Sequence, residues 1–317
     1  MKKNKVNAYK LAFGIKQFHF KTDFNYYINT THGLDFGVST IRYNLQPGSF
    51  TPVGEESLVA PDIIPDEQAM ESALYISHRY TVSPKFTINS GIRYSIFNYL
   101  GPQEINLYTP GLPMTATNQT GVKEYKKGKF INTYHGPEYR LSLRYSITNS
   151  FSIKASYNSL RQYIHMLSNT TSIAPTDIWK LSDPNIKPQH GQQVSLGLYK
   201  NFKENTIETS VEVYYKKIKD YLDYKPGARL IMNHDIETDV MSTKGKAYGV
   251  EVMIKKQEGK LNGWIGYTWS RIFLKSDNAA MGAIVNHGEY YPANYDKPHD
   301  VTHRGQFQDQ SPVQFIS

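Results

Sequence analysis

Residues Phe86–Asn98 read as a wall between two solvents. Phe86, Ile88, Ile92, Tyr94 and Ile96 share one parity, and Thr87, Asn89, Arg93 and Ser95 share the other. In an extended chain successive side chains point to opposite faces, so one face meets an apolar medium and the other a polar one. The same beat returns along the chain. Phe18, Phe20, Phe24, Tyr26 and Ile28 oppose His19, Lys21, Asp23 and Asn25; Tyr139, Leu141, Leu143, Tyr145 and Ile147 oppose Arg140, Ser142, Arg144 and Ser146. Phe151 to Asn158, Val194 to Leu198, Ile207 to Val213, Tyr248 to Lys255 and Leu261 to Ser270 follow the same rule. No stretch offers a helical apolar stripe of comparable length, which predicts an all-β chain.

The connections between these runs are unequal in a regular way. Short polar turns at Asn29–His32, Ser83–Lys85, Thr148–Ser150, Lys203–Asn205 and Gln257–Gly259 join strands into hairpins. Segments 46–69, 100–136, 163–190, 218–244 and 274–298, rich in Pro, Gly, Asn and Asp, join one hairpin to the next, at lengths that compact soluble folds seldom use. Short turns on one rim and long loops on the other predict an antiparallel up-and-down β-barrel of the transmembrane type. A soluble β-sandwich adhesin or binding module would carry loops of similar length on both rims.

A mean hydropathy of −0.54 is compatible with such a barrel, because only alternate residues need be apolar and a crossing takes about 9–11 residues. The 25 Tyr, 14 Phe and 3 Trp suit a chain with two membrane interfaces, although aromatics are also enriched in soluble sheets. Tyr94, Tyr99, Tyr157, Tyr267 and Trp269 are girdle candidates. Cysteine is absent, as suits an exported protein held by barrel closure. The net charge of +8 is scattered, with one local cluster from Lys123 to Lys129 that reads as a solvated loop tip and not as a nucleic-acid site.

Several motifs in order resemble a known family. Gly245-Lys-Ala-Tyr-Gly-Val-Glu251 followed by Gly259-Lys-Leu-Asn-Gly-Trp-Ile-Gly-Tyr-Thr-Trp-Ser-Arg271 is similar to a late barrel hairpin of TonB-dependent outer-membrane receptors of the Bacteroidetes type. Asn286 to Asp300 resembles the segment leading into one of that family's final strands, and Asp177 to Leu181 with Ile186 to Gln189, Gln192 and Gln193 resembles a middle portion. The resemblance implies energy-coupled import of a scarce ligand (siderophore, vitamin, peptide or glycan) across the cell outer membrane. It implies outer-membrane lipid around the wall, a plug domain in its lumen, TonB acting only through that plug, and a surface lipoprotein as a further partner. No cofactor is implied.

Transporters of this kind have about 22 strands around a plugged lumen, whereas the present repeat supplies about eleven strands of spanning length. Residues 1–302 are therefore expected to be part of a barrel without its plug and final strands, and to form an open curved sheet, because unpaired edges in hydrocarbon cost several kcal/mol per polar group. Met1-Lys-Lys-Asn-Lys5 is basic like a signal n-region, but Asn7, Tyr9 and Lys10 interrupt the apolar core that an export signal needs, so Met1 is expected to lie inside a longer protein. After Thr302 the alternation stops; residues 303–317 are expected to be a non-barrel tail, consistent with a frameshift.

Catalytic patterns are missing: there is no G-x-S-x-G elbow, no H-E-x-x-H and no phosphate-binding glycine loop. His299-Asp300 supplies two parts of a triad without a positioned serine, so a small outer-membrane barrel enzyme is the weaker alternative. His190, His234 and His287 fall in three loops, where exposed polar roles are expected over a chelate site. Glu208, Glu212, Glu251, Arg140, Arg144 and Lys154 are expected to line the lumen, since outward charges cost a few kcal/mol at the bilayer midplane. Trp179, Asp183, Asn185, Tyr290 and Tyr291, in long loops, are the candidate ligand-binding residues, as rings and amides that stack and hydrogen-bond; packing the loops together is their alternative role.

Overall fold

The computed structural model describes residues 5–168 and 177–307. Eleven long antiparallel strands form one sheet in sequence order. They are β1 (Tyr9–Tyr27), β2 (His32–Pro52), β3 (Glu67–Ser83), β4 (Phe86–Leu100), β5 (Phe130–Thr148) and β6 (Phe151–Gln162). β7 (Gln189–Phe202), β8 (Ile207–Tyr224), β9 (Val240–Lys256), β10 (Leu261–Lys275) and β11 (His299–Phe307) complete them. Two-residue bridges at Asp62–Ile63 and Tyr291–Pro292 add to β2 and β10 and bring the sheet to 13 strands. β1 and β11 do not pair, so the sheet is unclosed.

Register carries the two-faced pattern from strand to strand. Directly opposed residues share a face, and the pairs Phe36↔Ile76, Ile76↔Ile92 and Ile92↔Tyr139 continue one apolar row across four strands. Tyr157↔Val194, Leu196↔Val213, Val213↔Val250 and Val252↔Tyr267 continue it to β10. Much of this row is open to its surroundings: Val194 is 50% and Ile76 45% exposed, and Phe18 and Leu74 on the same face reach 73% and 66%. A contiguous apolar face of this extent demands a non-aqueous partner, and lipid meets that demand. Among the described residues no helix is long and apolar enough to cross a membrane; the crossing is made by strands.

The opposite face is polar and carries the lumenal groups, including Arg140, Arg144, Lys154, Glu208, Glu212 and Glu251. Tyr99 corrects the girdle expectation. It shares parity with Phe97, not with Tyr94 and Ile96, so it turns into the lumen and is 2% exposed. β11 continues to Phe307, with Leu261↔Phe307 its last pair; backbone pairing thus runs five residues past the point where side-chain alternation lapses. Residues 308–317 lie outside the described residues.

Candidate ligand site at the long-loop rim

At the long-loop end the lumenal face changes from polar to apolar. Tyr43, Leu45, Ala69, Phe97 and Tyr99 of β2–β4 pack against Ile105, Tyr163 and Leu181 from two long loops, and the Phe97 and Tyr163 rings stack with centroids 4.7 Å apart. The loops are thereby drawn inward across the mouth. One holds a hairpin, Gln103–Tyr108 with Gln119–Tyr125, and another holds Ile164–Leu167 with Ile178–Leu181. A second cluster, with Leu167, Ile186, Leu222, Tyr224, Ile236 and Val240, ties the latter loop to the ends of β8 and β9.

Beneath the second hairpin lies a buried ionic knot. Lys180 donates to Glu67 at the start of β3 and, at 2.5 Å, to Asp183. The Leu181 N–H donates to Glu67 Oε2 at 2.9 Å, and the N–H groups of Asn185 and Ile186 donate to Asp183 Oδ1 at 2.8 Å each. Three charges out of water are tolerable only when paired and hydrogen-bonded in this way. Burial works against the ammonium, but Asp183 and Glu67 outweigh it and hold the Lys180 pKa well above its usual value. Burial, reinforced by Lys180, pushes nearby His165 down to about 4; neutral, it shares a 2.9 Å hydrogen bond with the Ser182 hydroxyl.

Above the knot a cavity of about 520 Å³ opens between the loops. Trp179, Asp183 and Asn185 line it together, with Asn106, Tyr125 and Glu237 among its other walls. Their roles differ. Asp183 spends its carboxylate on Lys180 and the 183–186 turn, and Asn185 donates its side-chain amide to the Asn106 carbonyl at 3.1 Å. Trp179 keeps 37% of its surface exposed and is the ring offered to the cavity. Tyr290 and Tyr291 lie elsewhere. Tyr290 sits under the Lys246 ammonium, 3.9 Å from the ring centroid, and Tyr291 bridges to Leu274 of β10.

Sequence reasoning missed the first hairpin's contribution. Asn106 donates to Asp235 and Glu237 at 2.9 Å each, a link across 131 residues that no local spacing reveals. Asp66, Glu104, Glu124, Asp235 and Glu237 all border the cavity, and Glu104 stands directly opposite Glu124. The basic run from Lys123 instead leads to the hairpin's far end, with Lys123 over the Tyr125 ring at 5.0 Å. The three loop histidines do not converge: His190 bonds Ser159, His234 bonds Asp62, and among the described residues no group of three or more potential ligands could hold a metal. His299 bonds Tyr267 at 2.9 Å and Asp300 pairs with Lys297, so the two do not form a triad with a serine.

Solved structures with the same fold include the FrpB iron transporter of Neisseria meningitidis (12% identity, TM-score 0.58), covering 94% of this chain and 41% of that one. The ferric-catecholate import receptor Fiu of E. coli (16%, TM-score 0.58) gives 94% and 42%. The pyoverdine-bound receptor FpvA of Pseudomonas aeruginosa (13%, TM-score 0.56) gives 96% and 41%. The chain thus spans about two fifths of the solved proteins it resembles. No curated protein sequence matches it. The family model described as "TonB dependent receptor-like, beta-barrel" matches residues 4–302, and with the two-faced strands and unlike rims already in place, the chain belongs to that family.

Proposed function

We propose that this chain is one part of the wall of an outer-membrane importer, and that the cavity beside Trp179 contacts the ligand on its way in. The observation that carries the reading is the position of that cavity: at the long-loop end of a lipid-facing wall, bordered by loops that the wall's own apolar lumenal residues pull inward. Its partners in this role are lipid along the outer row, a plug domain in the lumen, TonB acting through the plug, and a surface lipoprotein over the loops. Tyr290, paired with Lys246 outside the cavity, serves the loop packing.

The neighbours named for iron, ferric catecholate and pyoverdine support import of a chelate. The lining narrows its chemistry, because carboxylates outnumber cations there and Lys180 is already committed. A neutral or cationic polar ligand fits this cavity, and a polyanion does not. The test is ligand binding to the intact receptor that contains this chain. Trp179→Ala should weaken binding by about tenfold or more, as loss of a buried aromatic anchor does, with β-strand content unchanged. A tightest ligand that is a polyanion, or one indifferent to Trp179→Ala, overturns the assignment.

A further inference from the structure

Above the apolar row on the outward face of β8–β10, toward the long loops, cations are concentrated. Lys217 of β8 shares the parity of Val213 and Tyr215, and Lys246 of β9 that of Tyr248 and Val250, so both point away from the lumen. The two are direct cross-strand partners. One outward step nearer the long loops, Lys244 is the direct partner of Lys275 on β10. Directly opposed side chains have Cβ atoms about 5 Å apart, and like charges so placed are destabilising.

The chain neutralises one pair and not the other. Asp277 serves the upper pair, 3.0 Å from Lys244 and 3.5 Å from Lys275, and Asp296 holds neighbouring Arg271 at 2.8 Å. Among the described residues Lys217 and Lys246 have no carboxylate within ion-pair distance. Their ammonium groups lie against rings instead. Lys246 is 3.9 Å from the Tyr290 centroid and 5.5 Å from that of Phe273, and Lys217 is 6.0 Å from that of Tyr215. Rings orient a cation but carry no net charge, so this pair lacks a counter-ion.

Its height indicates the source of one. Lys256 ends the outward row of β9 at the short-turn rim, ten residues from Lys246, which is about 34 Å of strand at about 3.4 Å per residue. A tilt of about 40° leaves about 26 Å of height, against about 25 Å for the apolar band of a transmembrane barrel. Lys246 thus stands at headgroup level on the long-loop side, one step above the Tyr215–Tyr248 pair, rings of the kind that gather at that level. The concentration is local. Toward the same rim on β2–β5 the outward row carries Arg42, already bonded to Gln68 at 2.7 Å, and the neutral pair Asn98 and Thr133, bonded at 2.8 Å.

We propose that Lys217 and Lys246 form a binding site for the phosphate of a lipid headgroup in the leaflet on the long-loop side. The Tyr290 and Phe273 rings hold Lys246 in place, and the acyl chains of the lipid run down the apolar row below. The site is on the outward face and does not depend on the ligand reading of the cavity beside Trp179.

The test is native mass spectrometry of the intact receptor that contains this chain, delipidated in neutral detergent and titrated with dioleoyl phosphatidic acid. A lysine beside an anionic lipid surface is worth about a factor of five. Lys217→Gln with Lys246→Gln should therefore weaken binding of the first lipid about thirtyfold, while Lys217→Arg with Lys246→Arg should keep it. Lys256→Gln, at the opposite rim, should change nothing. Dioleoyl phosphatidylcholine, whose phosphate is offset by choline, should bind the wild type and the double glutamine variant equally. Undiminished phosphatidic acid binding in that variant, or an equal loss from Lys256→Gln, overturns the site and leaves the cavity reading standing. Displacement of the lipid by millimolar inorganic phosphate overturns the lipid assignment, because the site would then be one for a free anion.

Discussion

Replacing Lys180 by methionine isolates the ionic knot. The side chains of Lys180, Glu67 and Asp183 are 7%, 9% and 8% exposed, so the variant leaves two carboxylates in a dry site with no cation. Breaking a buried pair from one side typically costs about 3–5 kcal/mol, and protonation sets a ceiling on that cost. Adding a proton at pH 7 to a carboxyl of ordinary pKa near 4.3 costs about 4 kcal/mol at 1.36 kcal/mol per unit. Beyond that cost the site takes up a proton and stays closed. The hairpin carrying Ile178–Leu181 should therefore open about a thousandfold more often at pH 7. The penalty should shrink as pH falls and nearly vanish near pH 4.5, where a proton replaces the ammonium. Hydrogen exchange at the Leu181 amide, which is bonded to Glu67, reads this directly as the ratio of variant to wild type at each pH. Lys180→Met with Glu67→Gln should recover most of the loss. Unchanged exchange in the single variant at pH 7, or a ratio that does not depend on pH, would refute the reasoning.

Three further outcomes follow from the same geometry. His165 has its pKa lowered to about 4 by burial, so the unfolded loop binds more protons between roughly pH 6.5 and pH 4. Its contribution to stability, present above that window, should be lost as pH falls through it, by about 3 kcal/mol at most, and proteolysis of the loop at pH 7 and pH 4 measures the difference. Val213→Lys, which puts a charge on the lipid-facing row between Leu196 and Val250, should cost the receptor about 2–4 kcal/mol in urea titrations in lipid vesicles, whereas lumenal Ser195→Lys should cost under about 1 kcal/mol. Gly37→Val should impair the β1–β2 pairing, because a Cβ there would stand 2.1 Å from the Thr22 carbonyl and 2.5 Å from the Tyr75 hydroxyl; a lowered midpoint for loss of strand circular dichroism checks it.

Strand identity, face and connection order were legible because each depends on nearest neighbours in sequence. The parity of Ile92, Tyr94 and Ile96 already states which way Arg93 and Ser95 point, and pairing merely extends the row. Tyr99 was misread because aromatic type near a strand end suggested a girdle, whereas parity, the stronger constraint, placed it with Phe97 inside the lumen. After Thr302 side-chain alternation and backbone pairing part company: hydrogen bonds to β10 sustain extension to Phe307 without an apolar row.

The cavity was only half legible. Trp179, Asp183 and Asn185 lie within seven residues of one loop, and their types alone made them candidates. Glu67, Asn106, Asp235 and Glu237 reach the same place from three other segments, and nothing in local spacing connects Glu67 with Lys180 across 113 residues. What brings them together is the lumenal parity at the top of β2–β4. Tyr43, Leu45, Phe97 and Tyr99 make that end of the wall apolar, and an apolar patch facing water must be covered. Loop residues Ile105, Tyr163 and Leu181 cover it, and once they are pinned the polar residues beside them have no room to lie elsewhere. The site therefore follows from a local exception to the rule that defines the fold: where the inward row stops being polar, the loops fold inward and a pocket forms between them.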